Sequence, residues 1–149
     1  MALGLNGHLT KLSKLDSYDY LIKGSEATNI GLLIGTAASW KGSMNCQVNK
    51  KIATQLPALL PPTATDMPQS HNTQVAALMS VGLLYSGTGH RAMVEMCLKE
   101  LGKPPGPELE NCVDRESYSL TAGLAMGKII LFPVTMIILH PVSRYDYDG

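Results

Sequence analysis

The feature that most limits what this chain can become is repetition: three short stretches are copies of one another at a spacing of 45 residues. The clearest runs from Asn72 to His90 and contains Val75-Ala76-Ala77-Leu78-Met79-Ser80-Val81-Gly82-Leu83-Leu84-Tyr85-Ser86-Gly87-Thr88-Gly89. A step of 45 residues back sets Leu33 under Leu78, Ile34 under Met79, Gly35 under Ser80, Ala38 under Leu83, Trp40 under Tyr85 and Gly42 under Gly87. The same step forward sets Gly127 under Gly82, within Ser119 to Gly127. Ala2 to Gly7 reads as the tail of a still earlier copy, with Gly7 placed 35 residues before Gly42. Self-similarity of this period marks an array of stacked units that bury their faces on one another.

Each copy is nearly free of charge and rich in small residues, which predicts a helix buried on almost every side. Asn72 is the expected N-cap of the central copy, Ser25 to Thr28 supply caps for the first, and Asp114 for the third, with Glu116 in its first turn. Gly87-Thr88-Gly89 ends the central helix. The residues expected to set the packing are Gly31, Gly35, Ala38, Trp40 and Gly42 in the first copy. Ala77, Gly82, Tyr85, Gly87 and Gly89 serve the second, and Ala122, Gly123 and Gly127 the third.

Amphipathic helices separate the copies. Leu9, Leu12, Leu15 and Tyr18, extended by Leu21-Ile22, form one; Val48, Ile52 and Leu56 a second; Met93, Val94, Met96, Cys97, Leu98 and Leu101 a third. Glu95 and Lys99 are spaced as an ion pair on the third, and Gly102 sits where a C-terminal glycine belongs. Pro57, Pro61-Pro62 and Pro104-Pro105-Gly106-Pro107 stop the second and third. The predicted fold is therefore all-α, one helical hairpin per repeat, arranged as an α-solenoid.

Composition narrows the function. The chain has 149 residues and no formal net charge, and Lys50-Lys51 is its one basic doublet, so it offers no electrostatic surface for nucleic acid. Cys46, Cys97 and Cys112 lack metal or redox spacing and suit reduced thiols of the nucleus and cytoplasm. No secretory leader is apparent. Leu120 to Leu139 is the nearest approach to a membrane span, but Gly123, Gly127, Lys128 and Pro133 interrupt it. Anchoring through that stretch, in a small membrane-associated helical protein, is the alternative functional reading.

No cofactor, metal or small-molecule substrate is expected. Gly87-Thr88-Gly89 before His90 and Arg91 has the look of a phosphate loop, yet no strand precedes it and no GK[ST] completes it. His8, His71, His90 and His140 are scattered, without zinc-ligand spacing. Cys97 lies on an apolar stripe, where burial is its expected role, and Ser39, Ser80 and Ser119 are expected to bond back into their own helices. The chain offers no set of nucleophile, base and acid.

Three such helices in register, with loops such as Tyr20-Leu21-Ile22-Lys23-Gly24-Ser25 and Pro104-Pro105-Gly106-Pro107-Glu108-Leu109-Glu110-Asn111-Cys112, resemble proteasome/cyclosome (PC) repeats. Those repeats occur in the two large non-ATPase scaffold subunits of the proteasome regulatory particle and in the largest subunit of the anaphase-promoting complex, whose wording this chain follows more nearly. The resemblance implies a non-catalytic scaffold within a multisubunit E3 ubiquitin ligase that drives mitotic cell-cycle progression. Its repeats would form part of a closed α-helical toroid, and its partners would be other subunits of the complex and its coactivator. It covers residues 1–127.

Beyond Gly127 the pattern lapses. Phe132 stands where the repeat would place a turn glycine, and residues 128–149 align with no repeat. The expectation is a partial PC-repeat stack over 1–127, followed by a divergent tail over 128–149, in a fragment or alternative product.

Overall fold

The structure is a computed structural model that describes residues 2–6, 21, 23–61, 70–104, 106, 114 and 116–139, with 3, 5 and 132–139 described as backbone. The described residues are all-α and contain no strand. Among the described residues six α-helices follow one another: α1 (Ala2–Leu5), α2 (Glu26–Ser39), α3 (Cys46–Ala53), α4 (His71–Leu84), α5 (Arg91–Leu101) and α6 (Ser117–Leu139), with a 3₁₀ turn at Pro57–Leu59 after α3. The first amphipathic helix expected over Leu9 to Tyr18 lies outside the described residues, as do Gly7, His8, Cys112 and the end of the tail.

The small-residue helices form one row. α1 packs on α2, α2 on α4 and α4 on α6. The amphipathic helices lie against this row, α3 on α4 and α2, α5 on α6. α4 stands in the middle, and its buried residues Thr73, Ala76, Ala77, Leu78, Ser80, Val81, Gly82 and Leu84 cover most of its circumference. At 3.6 residues per turn, such a spread leaves little room for a solvated face. α3 and α5 instead bury one stripe each, Val48 and Ile52 in one and Met96, Cys97 and Glu100 in the other. The core runs from Leu33 and Ala37 through Leu56, Leu78, Val81 and Leu84 to Ala122, Ala125 and Ile129.

Caps repeat with the helices. Ser25 starts α2 by accepting a hydrogen bond from the Thr28 amide at 3.3 Å; Ser70, 45 residues on, does the same for α4 from Thr73 at 3.2 Å. The cap of the central helix is thus Ser70 rather than Asn72, which lies within the first turn. At α6 the Asp114 contribution is its backbone carbonyl, which accepts from the Ser117 amide at 2.9 Å, and Glu116 precedes the helix.

Two further sequence expectations are revised, and one on membrane crossing is met. Glu95 pairs with Arg91 at 2.7 Å rather than with Lys99, because the N-terminal partner of an (i, i+4) spacing is as near as the C-terminal one. Gly102 closes α5 in the right-handed region, at φ −83°, so no left-handed cap forms there. α6 is helical through Pro133, although among the described residues no helix is long and apolar enough to cross a membrane.

Burial pushes the Cys97 thiol up to about 11, with Glu100 nearby adding to the effect. In the folded chain Cys97 should resist alkylation at pH 8 while exposed Cys46 reacts, and denaturant should abolish the difference. Peptide mapping of the alkylated sites checks this. Ser70→Ala removes the α4 cap and should lower unfolding stability by about 1 kcal/mol, measured by denaturant melts.

Candidate functional site

The geometry with most chemical specificity in this molecule is the contact between successive small-residue helices. It is made at three levels, each tied to the 45-residue period.

At the N-terminal level the links are polar. Ser70 Oγ donates to Glu26 Oε1 at 2.7 Å, joining α4 to α2, and His71 Nε2 lies 2.8 Å from Ser117 Oγ, joining α4 to α6. Tyr118 beside it donates from its hydroxyl to Glu100 Oε2 at 2.7 Å, which ties α5 to α6. Burial and the Glu100 carboxylate hold the Tyr118 phenol well above its ordinary range, so it stays a neutral donor. Glu100 is 9 % exposed; Gln55, one repeat earlier, is buried at the same position near the end of the outer layer.

At the middle level the backbones touch. A Cβ built on Gly4 would run into the backbone of Gly35, and one built on Gly82 would lie 2.7 Å from the Ala125 Cα and 2.9 Å from its Cβ. Gly35 and Ala125 are two periods apart, with Ser80 between them. All three are buried. Ser39 Oγ adds a bond to the Gly4 carbonyl at 2.8 Å while also bonding back to Gly35 at 3.2 Å. The match of Gly4 with Gly82 places the first copy 33 residues before Ala37, two residues off the spacing read from Gly7.

At the C-terminal level the main chains are bonded. Amides of the turn after one helix donate to main-chain carbonyls of the next: Gly42 to Leu83 at 3.1 Å and Met44 to Leu84 at 3.2 Å. One period on, Gly87 donates to Lys128 and Gly89 to Ile129, both at 3.0 Å. Leu83 and Leu84 end α4, where carbonyls run out of partners within the helix, whereas Lys128 and Ile129 lie inside α6 and accept the turn amides along its side. To aim its amides outward the turn adopts positive φ at Gly42 (69°), Gly87 (73°) and Gly89 (63°), and Met44 adopts it too, at 52°. The amides that a phosphate loop would need are therefore spent on a neighbouring helix. His90 packs edge-on against buried Tyr85 instead, with ring centroids 5.0 Å apart.

The residues singled out from sequence divide by this geometry. Gly35 and Gly82 make close approaches, Gly42, Gly87 and Gly89 form the bonded turns, and Ala77 and Ala122 are wholly buried. Ala38 and Trp40 are half-buried, and Gly123 has the Leu101 side chain beside it. Gly31 and Gly127 face open space. Gly4, Ala37, Met44, Ser80 and Ala125 were missing from that set, although the 45-residue register aligns four of them with named glycines. Among the described residues no group of His, Cys, Asp and Glu could hold a metal ion.

Comparison with known proteins follows the same ground. The family described as the APC1 fifth domain matches residues 46–136, more than half of the chain, and the APC1 fourth domain matches 1–41. The two matches meet in the turn that carries Gly42 and Met44. Human anaphase-promoting complex subunit 1 is 56 % identical over 131 residues, 88 % of this chain and 7 % of that protein. The Schizosaccharomyces pombe subunit of the same name is 40 % identical over 87 % of the chain and 9 % of its own length. The Emericella nidulans negative regulator of mitosis is 38 % identical over 88 % of the chain, 6 % of its own length. The chain thus spans under a tenth of these relatives.

Two pairs of substitutions test the interface. Gly82→Ala should cost roughly 1–3 kcal/mol by overpacking, whereas Gly31→Ala should stabilise by about 0.5–1 kcal/mol because helical glycine is replaced where nothing is met. Met44→Gly should gain up to about 1 kcal/mol by relieving a left-handed side chain, and Gly89→Ala should lose about 1–2 kcal/mol. Thermal and denaturant unfolding of the four variants reads each sign.

Proposed function

Because the chain belongs to the family of anaphase-promoting complex subunit 1, we propose that it acts as a non-catalytic scaffold segment of that complex, an E3 ubiquitin ligase controlling mitotic progression. The observation behind this is the three-level contact between helices 45 residues apart, which spends its polar groups on holding helices together. A surface of that kind positions other proteins. It contributes no nucleophile or base.

In this reading residues 1–127 form a partial PC-repeat α-solenoid, a sector of an α-helical toroid, and 128–149 a divergent tail whose first residues still belong to α6. Partners are other subunits and the coactivator, in nucleus and cytoplasm. The family description supports the assembly. The zero net charge supports protein rather than nucleic-acid contacts.

The test is recovery of the tagged chain from mitotic cells, scored for other ligase subunits by mass spectrometry. The unsubstituted chain should bring them down, and Gly82→Leu, which pushes α4 off α6, should reduce recovery at least tenfold at equal expression. Absence of ligase subunits from the unsubstituted sample would overturn the proposal.

A further inference from the structure

α6 runs on where its counterpart stops. α4 ends at Leu84, whereas α6 continues to Leu139, and residues 132 and 134, one period after Gly87 and Gly89, lie inside it. A carbonyl inside a helix is ordinarily bonded to the amide four residues on. The turn amides nevertheless reach equivalent carbonyls in both helices, Leu83 and Leu84 in α4, Lys128 and Ile129 in α6.

The two pairs are kept open in different ways. In α4 the Leu83 carbonyl is shared, accepting from Gly42 at 3.1 Å and from Ser86 at 3.2 Å. The Leu84 carbonyl takes Met44 at 3.2 Å, and the amide four residues on, that of Thr88, turns away to the Tyr85 carbonyl at 3.1 Å. The end of α4 thus frees Leu84. No helix end lies near Ile129. Four residues on from Ile129 is Pro133, whose nitrogen carries no hydrogen. Pro133 also stands 45 residues after Thr88. Covalent chemistry removes at 133 the donor that a change of chain direction removes at 88.

We propose that Pro133 is a positioning residue for the junction between α4 and α6. Having no amide to offer, it reserves the Ile129 carbonyl for Gly89 and lets α6 extend without losing its bond to the preceding turn. Proline inside a helix ordinarily leaves the carbonyl four residues back without its donor. Here the Gly89 amide meets that carbonyl at 3.0 Å. Lys128 supplies the contrast within the same helix. The amide four residues on from it belongs to Phe132, so its carbonyl is open to sharing, as that of Leu83 is.

Hydrogen exchange followed by NMR on the full chain tests this through the ratio of the Gly89 rate to the Gly87 rate. Both amides sit in one turn, so a change in overall stability cancels in the ratio. Pro133→Ala provides the missing amide and should raise the ratio roughly fivefold as the Ile129 carbonyl becomes shared, with helical circular dichroism kept or increased. Adding Val134→Pro to Pro133→Ala moves the missing donor to Ile130, and the ratio should stay raised. An unchanged ratio in Pro133→Ala overturns the proposal. So does a return to the unsubstituted ratio when the proline is shifted by one residue, since any nearby proline would then suffice.

Discussion

The bond from a turn amide to a main-chain carbonyl of the next helix is the constraint on which the rest of this structure depends. Gly42 and Met44 reach Leu83 and Leu84; Gly87 and Gly89 reach Lys128 and Ile129. The bonds fix how far one helix can slide along the next. Once the ends are in register, the middle of each pair must accept whatever separation follows, and only glycine and alanine fit at Gly4, Gly35, Gly82 and Ala125.

This division explains why the two layers read so differently. The inner row is held by backbone groups and by contacts too close for side chains, so its sequence is small and uncharged. The outer helices touch the row by one stripe and keep solvated faces, where Arg91 and Glu95 pair at the surface and contribute little to stability. Several of the polar residues that enter the boundary are bonded to one another. Tyr118 with Glu100, and Ser70 with Glu26 and Thr73, join separate elements through hydrogen bonds that an apolar core would not specify.

Much of the fold was legible in the sequence because its period is long and its copies are uncharged. The order of helices, the Ser25 cap, the stop at Gly87 and the burial of Cys97 all follow from local chemistry. The misses are instructive. Asn72 and Ser70 can both cap a helix, and the choice fell to Ser70 because it also bonds Thr73 and Glu26. Pro133 interrupts the apolar run without ending the helix, and α6 continues through it. Met44 escaped notice because methionine gives no sign of positive φ; only its place 45 residues before Gly89 could have raised the suspicion.

What the sequence determined alone is the repeating unit: which stretches coil, which glycines end them, and that the inner helices must be buried, since uncharged small residues give them no solvated face. What only the tertiary structure decided is which glycine serves which purpose. Gly82 and Gly127 are equivalent by sequence, yet one has Ala125 at 2.7 Å and the other has open space. A repeat specifies its own surfaces through local chemistry, but whether a surface is a contact depends on a neighbour that lies a whole period away along the chain.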